Sequence, residues 1–128
     1  MHGSGRTRAR KRNHVKETAM TTQTSMTQRL EAMLASGRDD KLLRYTLGKA
    51  YVEAESYAKA CDHLETCVAY DPQYSVAWKW LGKARLGLGD PEGARHAWER
   101  ASAVAAEHGD AQVMKEVAVF LRRLDKPA

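Results

Sequence analysis

The sequence predicts an all-α fold of six helices joined by short links, with no strand candidate. Three observations predict it. Only three Pro and one Phe occur, against abundant Ala, Leu, Glu, Lys and Arg, a composition that favours helix. Residues that start and stop helices recur at helix-length intervals along the chain. And the segment Leu47-Gly48-Lys49-Ala50 returns as Leu81-Gly82-Lys83-Ala84, a period of about 34 residues and the mark of a repeated helical unit.

The elements follow in order. Residues 1–25 read as a disordered basic and polar tail, with few large apolar side chains to offset the entropy of ordering. Met20 or Met26 can serve as an internal start, so the tail can be non-native. From Thr27 the pattern turns helical: Leu30, Met33 and Leu34 share a face and Gly37 supplies a C-cap. Asp39 and Asp40 open a second helix that runs to about Ala54, their charge suited to a helix N-terminus. Ser56 is the expected cap of a third, closed by Asp71-Pro72. Ser75 is the expected cap of a fourth, which Gly87 and Gly89 end. Asp90-Pro91-Glu92 starts a fifth, reaching His108-Gly109. Asp110 caps a sixth that runs to about Leu124.

More than the Leu-Gly-Lys-Ala match recurs at this offset. Ala60 returns as Ala94, Leu64 as Trp98 and Cys67 as Ala101. The first copy reads Leu47-Gly48, Tyr51, Ala60, Leu64 and Pro72; the second reads Trp78, Leu81-Gly82, Ala94 and Trp98. On these residues the chain resembles the tetratricopeptide-repeat (TPR) family over about residues 41–108, with half-units on either side. The resemblance implies a right-handed superhelix of antiparallel helix pairs. The TPR domain would span 26–125: a half-unit at 26–38, repeats at 41–74 and 75–108, and a terminal capping helix at 109–124. Gly48, Gly82, Ala60 and Ala94 would let helices approach closely, and Trp78, Tyr51, Leu64 and Trp98 would fill the remaining space. Three residues depart from the pattern: Arg44 for Trp, Arg85 for Tyr and Ala106 for Pro. In the last helix Lys115-Glu116 replaces Leu-Gly, as suits a solvating end to a stack.

In this family the first helix of each pair lines a concave groove that binds peptides or helices, so a protein partner is expected. Trp78 and Trp80 lie two residues apart, roughly 200° round a helix. With Trp78 in the core position, Trp80 faces the groove beside Lys79 and Lys83. Tyr45, Lys49 and Val52 of the preceding repeat fall next to them, and Met114 and Val117 extend the surface. A mixed aromatic and basic groove suits an acidic-aromatic segment. The subclass that grips chaperone C-termini uses a clamp of Lys, Asn and Arg. Here Tyr45, Trp80, Asp110 and Met114 fall at the clamp positions, so that mode is not expected.

Charge is unevenly distributed. Arg6, Arg8, Arg10, Lys11, Arg12 and Lys16 against Glu17 give +5 between Met1 and Ala19, and the rest of the chain holds basic and acidic residues in equal number. The tail therefore supplies the net charge, and nucleic-acid association through it is the rival reading. No aromatic residue interleaves with the run, so single-strand stacking is not indicated. Cys61 and Cys67, six apart on one helix, face different sides and suit a reducing compartment, with the cytoplasm expected. His63 and Cys67 share a helix face, but two ligands do not make a zinc site, so no metal or cofactor is expected. No phosphate loop, nucleophile elbow or paired catalytic carboxylates occur, and no catalysis is expected. No apolar run reaches the length of roughly 18 residues that a bilayer requires, so no membrane span is expected.

Overall fold

The computed structural model describes residues 25–126. The expected tail lies outside the described residues except for Ser25, which is already helical. Six helices and no strand occur among the described residues: α1 over 25–35, α2 Lys41–Glu53, α3 Tyr57–Tyr70, α4 Ser75–Gly87, α5 Pro91–His108 and α6 Ala111–Asp125. They fall into two units that divide between Arg38 and Asp39.

The first unit contributes α1. It ends as the sequence suggests, with Gly37 left-handed at φ +102°. The Gly37 amide bonds the Leu34 carbonyl and the Arg38 amide bonds the Met33 carbonyl, the paired closure of a Schellman cap.

The second unit holds α2 to α6. Each helix packs on the next, and α4 also packs on both α2 and α6. So α2, α4 and α6 lie side by side, backed by α3 and α5. Two contacts set the spacing within the pairs. A Cβ on Gly48 would fall inside the Leu64 side chain, and one on Gly82 inside the Trp98 indole. The two contacts are the same contact, one repeat apart. Leu64 is fully buried and Trp98 is 2% exposed. The Trp98 indole N–H donates to the Lys79 carbonyl at 2.9 Å, so the buried polar edge is satisfied. A third glycine, Gly87, is where the Tyr57 ring of the preceding pair lands.

Capping divides by residue type. Asp40, Asp90 and Asp110 each accept the amide three residues on, from Leu43, Gly93 and Val113. The two expected serine caps do not form. Ser56 makes no side-chain cap bond. Ser75 is the first residue of α4 and sends its hydroxyl to Asp110 at 3.0 Å, which ties one helix start to another.

The three departures from the repeat pattern each have a structural account. Arg44 forks onto Asp39 with two bonds of 2.9 Å and reaches His63 Nδ1 at 3.1 Å. The guanidinium holds the Asp39 carboxyl down to about 2. Arg85 bridges the Gly93 carbonyl and Glu65, both at 3.2 Å, and so links α5 to α3. Ala106 has the largest consequence. Without proline there, α5 runs on to His108, 18 residues against 14 in α3.

That extension moves the register of α6. Asp110 caps as Asp40 does, and Val113 and Val117 are buried where α2 buries Leu43 and Leu47. Val117-Ala118, not Lys115-Glu116, therefore occupy the Leu-Gly positions, two places later than the repeat period requires. Trp78 also differs from expectation. It is half-buried, touches both core clusters and donates its indole N–H to the Pro72 carbonyl at 2.9 Å. Trp98 is the more deeply buried aromatic.

One turn is strained. After α2 the left-handed position is held by Glu55 at φ +60°, where the next repeat has Gly89 at φ +83°. Its cap bonds are those of a Schellman closure, Glu55 amide to Val52 carbonyl and Ser56 amide to Tyr51 carbonyl. A side chain there costs about 1–2 kcal/mol.

This packing can be tested at two positions. Trp98→Ala empties a buried site and should cost about 3–5 kcal/mol in chemical denaturation; an unchanged midpoint would refute the packing described. Glu55→Gly should raise stability by roughly 0.5–1 kcal/mol, the strain relieved less the extra freedom of glycine in the unfolded chain. A loss of stability would show that the Glu55 side chain contributes more than its backbone costs.

Candidate partner-binding groove

The candidate groove lies on the side-by-side helices α2, α4 and α6, around Trp80. This indole rests against the core cluster, as do Tyr45 and Val52. Three ammonium groups surround it. The Nζ of Lys83 lies 4.4 Å from the ring centre, that of Lys49 5.4 Å and that of Lys79 5.7 Å. Each is within cation–π range of the negative ring face. Lys49 and Lys83 are the same position in consecutive repeats, so the repeat itself brings them to one ring.

Like charges at this spacing repel, and the site shows it. Burial, followed by the neighbouring charge of Lys79, pushes the Lys83 amine below its ordinary value of 10.5. Glu116 of α6 counters part of this. It pairs with Lys79 at 3.1 Å, and Lys79 is only 8% exposed. Glu53 also acts on Lys83, in the same sense as Glu116. Lys83 reaches α6 too, with its Nζ 5.1 Å from the Phe120 ring centre.

Tyr45 sits at the α2 side of this cluster. Its ring lies 5.2 Å from that of Tyr74. Burial raises its phenol, and the neighbouring Tyr74 adds to the rise. Lys41 covers Tyr74 at 5.5 Å, which continues the alternation of cations and rings.

The sequence-selected residues thus divide. Tyr45, Lys49, Lys79, Trp80 and Lys83 come together, and Val52 packs against the same core cluster. Val117 does not join them: it is fully buried in the second core cluster. Met114 is exposed, but by the α6 register it matches Arg44 and Trp78, and it lies two positions, roughly 200°, from Glu116. Both were misplaced by the register shift. Glu116 and Phe120 stand in their place on α6, and only the missing proline at Ala106 could have signalled the change.

Cys61 and Cys67 are free and buried. Burial pushes the Cys67 thiol up to about 11, and its Sγ bonds the Lys41 carbonyl at 3.2 Å, so it serves as a small core residue. Among the described residues, no group of three or more His, Cys, Asp and Glu could hold a metal ion, and no helix is long and apolar enough to cross a membrane.

Comparison with known proteins bears on the fold. The family model described as tetratricopeptide repeat matches residues 51–115. A TPR repeat-containing protein of Pseudomonas aeruginosa is 54% identical over 101 residues, 79% of this chain and 96% of that protein. The solution structure of a protein from Bordetella parapertussis is similar at a TM-score of 0.68 and 59% identity, covering 77% of this chain and 85% of that one. A heat-shock protein cognate co-chaperone of Aspergillus fumigatus is 29% identical over 77 residues, 60% of this chain but 23% of its own length.

The crowding of cations around Trp80 has a measurable signature. Lys83 should titrate below 10.5, read from its ε-carbon resonance by NMR. The sign follows from the lowered pKa: the folded state bears a penalty while Lys83 is charged, and stability is regained as pH rises from the lowered value to 10.5. An ε-carbon midpoint at or above 10.5 would contradict the crowding.

Proposed function

The chain belongs to the tetratricopeptide-repeat family, and on that premise we propose that it is a non-enzymatic cytoplasmic scaffold that binds an acidic segment of a partner protein in the groove around Trp80. TPR domains in general mediate binding between proteins. The observation that carries the finer reading is the convergence of Lys49, Lys79 and Lys83 on one indole.

Three features of that cluster support an acidic, partly apolar ligand. The ammonium groups are held close together, with Glu116 bonded to one of them, so an added carboxylate relieves repulsion. Lys83 is part-buried, and a charge contact there is screened less by salt than one in open solvent. And Trp80 with Tyr45 offers flat apolar area of the kind on which binding energy concentrates. The clamp of Lys, Asn and Arg is not assembled at these positions, so the segment would be read by lysines and rings rather than by a terminal carboxylate grip.

The test is capture from the source organism's lysate on the full-length chain, compared with a Lys49→Glu/Lys83→Glu double variant. A partner held by the first and released by the second, at about 150 mM salt and after nuclease treatment, supports groove binding. Equal capture by both baits, or none by either, removes it. Capture that vanishes with nuclease, or that falls by orders of magnitude between about 50 and 200 mM salt, would assign the binding to the basic N-terminal residues instead.

A further inference from the structure

Beside the Trp80 cluster lies a cleft of about 560 Å³, within the size range of sites that enclose small ligands or side chains. Trp98 and Phe120 form its deeper part, their rings 5.1 Å apart. Tyr57, Leu86 and Leu124 line it further, with Leu86 exposed to 44%. Two cations complete the lining, Lys83 and the exposed Arg123, and no acidic residue takes part. Four helices contribute, α3 to α6.

Lys83 joins this cleft to the groove. Its ammonium is 4.4 Å from Trp80 on one side and 5.1 Å from Phe120 on the other. A bound segment that meets Trp80 and its lysines can therefore continue past Lys83 into an apolar recess guarded by a second cation. Building on the groove reading, we propose that this cleft is a specificity pocket. It receives one apolar side chain of leucine or phenylalanine size from the acidic partner segment, while flanking carboxylates contact Lys83 and Arg123.

Charge complementarity selects this occupant. The chain's own N-terminal residues carry +5 between Met1 and Ala19 and would be repelled by Lys83 and Arg123. An uncharged apolar segment would fill the cleft but bring neither cation a counter-charge. A segment that places carboxylates on either side of one large apolar residue satisfies both.

Two blocked decapeptides of equal negative charge test the proposal by calorimetric titration of the full-length protein. One carries a central Phe among glutamates and the other a central Ala. The Phe peptide should bind about tenfold more tightly, a ratio in line with burial of one such side chain. Leu86→Gln, at an exposed position, should shrink the ratio to about threefold or less, since it removes apolar lining. Lys49→Glu, which touches only the groove, should weaken both peptides and leave the ratio intact. Equal binding of the two peptides to the unmodified protein overturns the pocket and leaves the groove reading standing. No binding of either overturns both. Self-association that Leu86→Gln abolishes, seen by sedimentation, would give the cleft to a second copy of this chain and likewise overturn the proposal.

Discussion

Gly48 under Leu64 and Gly82 under Trp98 let the helices of each pair approach closer than any side chain at those positions permits, and the rest of the second unit depends on that approach. It buries Leu64 and Trp98 almost completely, and burial of such groups is the main favourable term in a small helical stack. It also fixes how α2, α4 and α6 align.

The cluster around Trp80 is an arrangement the fold maintains against its own electrostatics. Three ammonium groups near one ring repel one another, and burial adds to the cost of charging Lys83. What offsets this is local: the ring face and the Glu116 carboxylate on Lys79. A surface that is only partly compensated when empty has more to gain from a ligand of opposite charge. The adjoining cleft adds apolar area without adding charge of the wrong sign. On the reading proposed above, the two features together would select charge and size on one segment.

Most of the architecture was legible because it rests on local chemistry that repeats. The recurrence of Leu-Gly, and of Ala60 as Ala94, marked the pairs and their register. Aspartate caps and Gly37, Gly89 and Gly109 marked the boundaries. The serine caps were less reliable, since Ser75 finds a stronger partner in Asp110 once the helices are packed. Trp78, expected in the core from its position in the repeat, lies half-buried against both core clusters. Within the groove, the residues of α2 and α4 could be chosen by periodicity alone. Those of α6 could not. The absence of proline at Ala106 lets α5 run on, and the resulting shift turns Val117 inwards and Met114 away. The cleft was invisible for the same reason, as it draws on four helices whose relation no single period describes.

The contrast between Glu55 and Gly89 reaches beyond one turn. The same closure is relaxed in one repeat and strained in the other, so the stack is not uniform along its length. In an array where each helix pair meets only its neighbours, a weak hinge sets where the structure opens first. Here that hinge joins α2 to α3, and α2 carries Lys49 and Tyr45. The strained closure therefore follows the helix that carries Lys49 and Tyr45, whereas the relaxed α4–α5 closure, with glycine in the left-handed position, follows the helix that carries Trp80 and Lys83. On the proposed reading, opening of the α2–α3 turn would loosen the contacts that Lys49 and Tyr45 make with a bound segment, while Trp80 and Lys83 kept theirs.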